Sequence, residues 1–354
     1  MPRASGDNGE EERYVTPTDV ATLEEHLSRP TPQVVDELAP LDGDLVILGA
    51  GGKMGPSLAR MARRALDQAG STSRVIAVAR FSNPDLEAPL GTEGIDTHRA
   101  DLLDPEQVKG LPDAGAMLFL AGQKFGTTDD PAATWAMNAQ MPERVAKRYG
   151  GVRTVVFSSG NVYPLVDVGS GGATEDTPPA PVGEYARSVL ARERAFEAAS
   201  RDLGTPVTQF RLNYAVDLRY GVLVDIARKV KNGDPIDLTM GYANVIWQGD
   251  ANAMALRSLN LATSPPTVIN VTGLERVCVR DVATGFGEQF GRSPRFTGQE
   301  QPTALLSSAA RAHELLGPAT MPLDDLIQHV AEWVGNDGES WDLPTHFESR
   351  DGVF

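Results

Sequence analysis

Gly49, Gly52 and Gly55 fall within "LVILGAGGKMGPSLARMARRA", between an apolar run and an amphipathic one. Glycines so spaced between a strand and a helix suit a phosphate ligand. Gly49 permits a tight turn, Gly52 lets the backbone approach a pyrophosphate, and Gly55 allows the helix to pack closely on the strand. The helix N-terminus adds unpaired N–H groups and the positive end of its dipole. Lys53 and Met54 complete the loop and are expected to line the same ligand. The end of the second strand bears on the form of the dinucleotide. An acid there would bond the ribose hydroxyls, but the chain has Ala79 followed by Arg80, whose guanidinium suits a 2′-phosphate. NADP(H) is therefore favoured over NAD(H).

The elements that must position this loop read clearly. "DLVILGA", "RVIAVAR", "AMLFLAG", "RTVVFSSG" and "PVTQFRLN" are short apolar runs, and helical patterns alternate with them. "PAATWAMNAQMPERVAKRYG" reads as one helix and "GEYARSVLARERAFEAASRDLG" as another, stopped by Gly204. Such alternation implies an α/β fold, a Rossmann-type doubly wound parallel sheet with a smaller C-terminal substrate lobe. Residues 1–12 are polar and acidic and expected to be disordered. Residues 13–43 read as a helical extension, and 44–213 plus 245–275 as the nucleotide-binding domain. Residues 214–244 plus 276–335 read as the substrate lobe, and 336–354 as a tail that Trp341, Phe347 and Phe354 pin down.

Composition excludes several partners. A formal charge of -16 argues against nucleic acid and anionic membranes. Cys278 is the sole cysteine, and the five histidines show no metal-ligand spacing, so no metal is expected. No apolar run has the length of a membrane span, and "MPRASGDNGEEER" lacks the core of a signal peptide. The expected setting is cytoplasmic.

The order of further motifs resembles a known family. "GAGGKMG", "ADLLD", "LFLAG", Asn138, "VVFSSGNVY", "EYARSVLARE", "FRLN", "VIWQGDAN" and "VINVTG" follow one another as in extended short-chain dehydrogenases/reductases, the NAD(P)-dependent epimerase/dehydratase proteins. The resemblance runs from about residue 44 to 335. It implies that Asp101 and Leu102 contact the adenosine and that Ala121, Gly122 and Ser158 line the cofactor. Ser159 and Tyr185 would form the catalytic pair, with Tyr185 also against the cofactor. A homodimer packed through the helices carrying Asn138 and Tyr185 is implied as well.

One position departs from the pattern. Family members carry a lysine one turn after the tyrosine, where it holds the ribose and lowers the phenol pKa. Here Val189 stands on that face. A free phenol titrates near about 10, and a nearby cation lowers it by roughly 1–3 units, so the loss is specific. Lys124, after the fourth strand, is the preferred surrogate cation. Arg187 is a poorer one because it points to another face of the helix. The alternatives are a non-catalytic nucleotide-binding regulator or scaffold, and a non-redox lyase or isomerase on the same fold. Retention of both Ser159 and Tyr185 favours an active enzyme. Gly160 and Asn161 replace the acidic pair of sugar dehydratases, which disfavours that reaction.

The expected activity is that of an NAD(P)-dependent oxidoreductase or epimerase on a sugar-like or other polyhydroxylated small molecule. Asn161, Tyr163, Arg211, Asn213, Tyr214 and Trp247 fall at strand ends or in loops expected to face it. The charge run "LARERAFEAASRD" reads as the wet face of a helix.

Overall fold

The computed structural model describes residues 15–124, 126 and 129–353. Seven strands form one parallel sheet: β1 (Leu45–Leu48), β2 (Val75–Ala79), β3 (Asp96–Arg99), β4 (Ala116–Phe119), β5 (Arg153–Ser159), β6 (Val207–Leu212) and β7 (Thr267–Val271). Their order is β7-β6-β5-β4-β1-β2-β3. The chain winds outward twice from β1, which lies between β2 and β4, so the carboxyl ends of β1 and β4 flank the crevice where such sheets bind ligands.

Both faces of the sheet are covered, which is why the strands read as continuous apolar runs. Leu45 and Ile47 face one core, with helices α2 (Pro32–Leu38) and α3 (Gly55–Gln68). Val46 and Leu48 face the other, with α4 (Met141–Arg148) and α5 (Gly183–Leu203). A third core joins α1 (Val20–Leu27), α6 (Val222–Asn232), α8 (Val279–Phe290) and α9 (Leu323–Gly335), while α7 (Gln248–Arg257) packs with α3 and α2. The expected disorder of residues 1–12 lies outside the described residues, as does Phe354.

The helix expected over 131–150 is interrupted. Pro131–Trp135 is α-helical, Ala136–Gln140 forms a π-helical turn, and α4 follows. The wide turn sits where the buried Asn138 is fully engaged. Its Oδ1 accepts from Gln123 N at 2.8 Å, and its Nδ2 donates to Gln123 O at 2.8 Å and to Ser188 Oγ at 3.0 Å. Such bulges occur often at functional sites.

Residues 336–353 form neither helix nor strand, yet they are fixed. Phe347 is buried in the third core. Asp225 Oδ2 accepts from Thr345 N at 2.8 Å and from Thr345 Oγ1 at 2.6 Å. The Trp341 ring lies under Arg219, 4.8 Å from the guanidinium. Gly352 rests on the start of α5, where a Cβ on Gly183 would come within 2.4 Å of the Gly352 carbonyl oxygen.

Candidate active site

The glycine loop is built for close approach. Gly49 has φ +88, and a Cβ there would lie 2.6 Å from Ala121 N. At Gly55 a Cβ would lie 2.4 Å from Ala50 O, so α3 can begin this near the strand only without a side chain. Gly52 is the exposed position, with its nearest obstruction 3.4 Å away. A groove of about 410 Å³ runs from this loop past the exposed Arg80 to Asp101, Leu102, Ala121 and Gly122. The cradle fits a dinucleotide, since glycines stand wherever backbone must meet phosphate and the N-terminus of α3 faces the loop. Among the described groove-lining residues, Asp101 is the only acid.

A second cavity, of about 180 Å³, adjoins the loop through Lys53 and Met54. It gathers Ser159 from the end of β5, Tyr185 from the first turn of α5, and Asn213 and Tyr214 from beyond β6. Ser158, Asn161 and Lys124 also line it. The Ser159 and Tyr185 hydroxyls share a hydrogen bond. Ser159 Oγ also accepts from Asn161 N at 3.2 Å. Tyr214 adopts φ +42, a strained conformation for a bulky residue, as is found at constrained sites.

Burial pushes the Tyr185 phenol above its usual range, with Arg192 and the Ser159 hydrogen bond opposing that rise. Val189 is wholly buried in a small apolar cluster with Val162, Tyr163 and Ala173. Arg192, three residues further along α5, is the cation whose field reaches the phenol. It is 5% exposed, and its guanidinium donates to Phe157 O at 2.9 Å and to Asn138 Oδ1 at 2.8 Å. It fills the space left by Gly122, where a Cβ would meet Nη2 at 2.1 Å. Lys124, the expected surrogate, does reach the cavity, where its ammonium donates to Thr345 O at 2.9 Å.

A model of the NAD dependent epimerase/dehydratase family matches residues 45–239. The chain belongs to that family. No curated protein matches it by sequence. Solved structures share its fold. MoeE5 in complex with UDP-glucose and NAD is 21% identical, covers 83% of this chain and 99% of its own, and has a TM-score of 0.67. UDP-glucuronic acid 4-epimerase from Bacillus cereus is 16% identical over 82% of this chain and 98% of its own, at a TM-score of 0.69. The epimerase Mth375 from Methanothermobacter thermautotrophicus is 18% identical over 87% and 97%, at 0.71. Family membership makes the cofactor a nicotinamide dinucleotide and the chain an enzyme of the epimerase/dehydrogenase kind.

Several residues of this epimerase-family chain stand elsewhere than the sequence led us to expect. Arg211 and Tyr163 do not line the cavity. Arg211 makes a two-pronged ion pair with Glu193, Nε to Oε1 at 2.8 Å and Nη2 to Oε2 at 2.7 Å, and its Nη1 donates to Tyr163 OH at 2.7 Å. Tyr163 OH in turn donates to Asn270 Oδ1 at 2.9 Å. A guanidinium so committed to a buried carboxylate has little left for a ligand. Trp247 is buried in the third core beside α7. Ser158 reaches the cavity, but its hydroxyl donates to Glu193 Oε1 at 2.5 Å. Lys53 and Met54 face the cavity rather than the groove.

The "LARERAFEAASRD" run is not a uniformly wet face, because Arg192 and Glu193 are buried within it. Their signal was positional. Tyr185, Val189, Arg192 and Phe196 recur at intervals of 4, 3 and 4, the stripe that a helix turns inward. Tyr220, from the aromatic and polar stretch "RYGVLVDIARKV" that suits a pocket lid, also lines the cavity, as does Thr345, which carried no local signal. Among the described residues no group of His, Cys, Asp and Glu could hold a metal ion, and no helix is long and apolar enough to cross a membrane.

Proposed function

We propose that this enzyme moves hydride between a nicotinamide cofactor and a carbinol or carbonyl carbon of a sugar-like small molecule, as an oxidoreductase or epimerase. The observation that carries this reading is the hydrogen-bonded Ser159–Tyr185 pair in a cavity adjoining the glycine loop. A bound nicotinamide supplies or accepts the hydride. Ser159 hydrogen-bonds the reacting oxygen and Tyr185 passes the proton. With valine in place of the usual lysine, burial holds Tyr185 protonated. The phenol is therefore set to donate to a carbonyl oxygen as the carbon takes up hydride. Arg192 moderates that bias from behind Gly122.

We assign NADP(H) as the preferred form, because Arg80 stands at the rim of the groove and no acid ends β2. We also propose a cytoplasmic homodimer packed through α4 and α5, whose shared groove is lined by alanines such as Ala191 and Ala195 and by the charged Glu143, Lys147, Arg194 and Asp202. Titration with NADPH and NADH, followed by nicotinamide fluorescence, tests the cofactor. Turnover is then screened on free sugars and on UDP-glucose and UDP-glucuronic acid, the last two named with the solved relatives. Tyr185→Phe should bind cofactor as the wild type does and lose roughly 10²-fold or more in turnover. Failure of both nicotinamides to bind would sink the reading, as would full turnover by Tyr185→Phe.

A further inference from the structure

Three uncharged groups line the cavity of Ser159 and Tyr185 and meet no hydrogen-bond partner among the described residues. They are the hydroxyls of Tyr214 and Tyr220 and the carboxamide of Asn213. Asn213 is buried, and the sequence leaves room for its amide, since a Cβ on Gly160 would fall 1.6 Å from Asn213 Oδ1. The two lysines of the cavity differ, because each is engaged. Lys53 Nζ donates to Ala215 O at 2.5 Å, and Lys124 Nζ donates to Thr345 O at 2.9 Å. Burial pushes Lys53 down to about 7 and Lys124 down to about 8.

The backbone is shaped to bring both phenols here. Tyr214 lies two residues past β6 and turns at φ +42, where bulky side chains are rare. Such strain persists where the surrounding structure imposes it, and it collects at ligand sites. Tyr220 ends a tight turn, in which Asp217 N donates to Tyr220 O at 3.0 Å and Tyr220 N to Asp217 O at 2.9 Å. Arg219 braces that turn by donating to the Asp217 carboxylate from Nε at 3.0 Å and from Nη2 at 2.6 Å. The Tyr220 ring is held as well, with Lys53 Nζ 4.3 Å from its centroid and the Trp341 ring 6.0 Å away. Burial pushes both phenols above their usual range, with neighbouring phenols adding to the rise of Tyr214 and Asp225 to that of Tyr220. Both therefore stay protonated at neutral pH and able to donate. A sequestered donor without a partner costs stability that a ligand can restore.

We propose that Tyr214 and Tyr220 select the substrate, their hydroxyls binding hydroxyls of an uncharged sugar beside the carbon that Ser159 and Tyr185 serve. The sugar unit that enters the cavity is then a neutral one, whether free or linked to a nucleotide, and a sugar acid is the poorer match. The inference rests on the Ser159–Tyr185 reading above. Neither phenol lines the dinucleotide groove, so their role is separate from holding the adenosine half of the cofactor.

The test saturates the full chain with NADPH, or with NADH should only that form bind, and titrates it by calorimetry with two matched pairs. These are glucose against glucuronate, and UDP-glucose against UDP-glucuronic acid. In at least one pair the neutral member should bind about fivefold or more tightly than the acid. The pair that does so separates a free sugar from a nucleotide-linked one. Tyr214→Phe and Tyr220→Phe should each weaken that neutral ligand by roughly threefold to tenfold, the range of a neutral hydrogen bond. Their urea midpoints should stay at or above wild type, because the hydroxyl removed has no partner in the free protein. Cofactor affinity should shift by less than about threefold. Unaltered sugar affinity in either variant overturns the proposal, as does equal or tighter binding of the acids, or no binding of either neutral ligand. A lowered midpoint with unaltered sugar affinity overturns it too and makes the phenols structural, while a loss of cofactor affinity alone assigns them to the nicotinamide. Failure of both NADPH and NADH to bind is a different result, which refutes the function proposed above.

Discussion

Arg211→Leu separates two roles for that arginine, a ligand clamp and an interior counter-ion. The change leaves the Glu193 carboxylate, 2% exposed, with the Ser158 hydroxyl as its remaining side-chain donor. It also strips the Tyr163 hydroxyl of one partner while leaving its bond to Asn270. Breaking a buried pair from one side costs about 3–5 kcal/mol, because the surviving charge stays desolvated. Both side chains of this pair are nearly inaccessible, so solvent does little to screen the loss. Removing both groups as leucines takes the stranded charge away. Arg211→Leu with Glu193→Leu should therefore cost less than the sum of the single changes, by roughly 1–3 kcal/mol. Urea unfolding followed by tryptophan fluorescence measures all three variants, and an unchanged slope shows that the comparison is sound. NADPH affinity in the native baseline should stay within about threefold of wild type, as neither residue lines the groove. The reasoning is refuted if Arg211→Leu costs under about 1 kcal/mol, or if the costs of the two changes simply add. A stable Arg211→Leu protein that no longer binds its substrate would return the residue to the ligand.

Arg192→Gln removes the cation that opposes the rise of the Tyr185 phenol, so the alkaline limb of the pH–rate profile for carbonyl reduction, where Tyr185 donates the proton, should move to higher pH. Arg192→Lys should hold that limb near its wild-type position, whereas a purely structural role would move neither profile. The depressed lysines also predict a slope in stability. From about 7 for Lys53, and from about 8 for Lys124, up to the ordinary lysine value of 10.5, the unfolded chain binds more protons than the folded one. Stability should thus rise with pH across that window, and the full cost of burying the two charges falls below it. Lys53→Met should flatten the lower part of the slope, as read from urea midpoints at pH 6, 7.5 and 9, and an unaltered slope would count against a buried, charge-depressed Lys53.

What was legible in the sequence was mostly local. Gly49, Gly52 and Gly55 announce themselves because a tight turn and a close helix start impose residue type on contiguous positions. The parallel sheet is written in its strands for a similar reason, since burial on both faces leaves runs such as "LVIL" with no polar alternation. Ser159 and Tyr185 came from the order of motifs, and they do meet in space. The errors arose where residue type misleads about surroundings. Arginine beside glutamate suggests water, yet Arg192 and Glu193 sit on the inward stripe of α5 and find partners on β5, β6 and the π turn. Arg211 was misjudged in the same way, since a guanidinium at a strand end does not show which carboxylate it will find. Lys53 was placed with the loop that carries it, though a four-carbon stem reaches past its own backbone into a neighbouring space. Thr345 had no readable signal because its position is set by Asp225, 120 residues earlier.

That wall at Thr345 has a consequence for synthesis. The residues lining the nucleotide groove lie between 49 and 137, and those lining the adjoining cavity extend to 345. As the chain emerges from the ribosome at its usual pace, the groove's residues are available long before the last wall of the cavity. Synthesis of the groove's lining thus precedes synthesis of the last wall of the cavity in each new molecule.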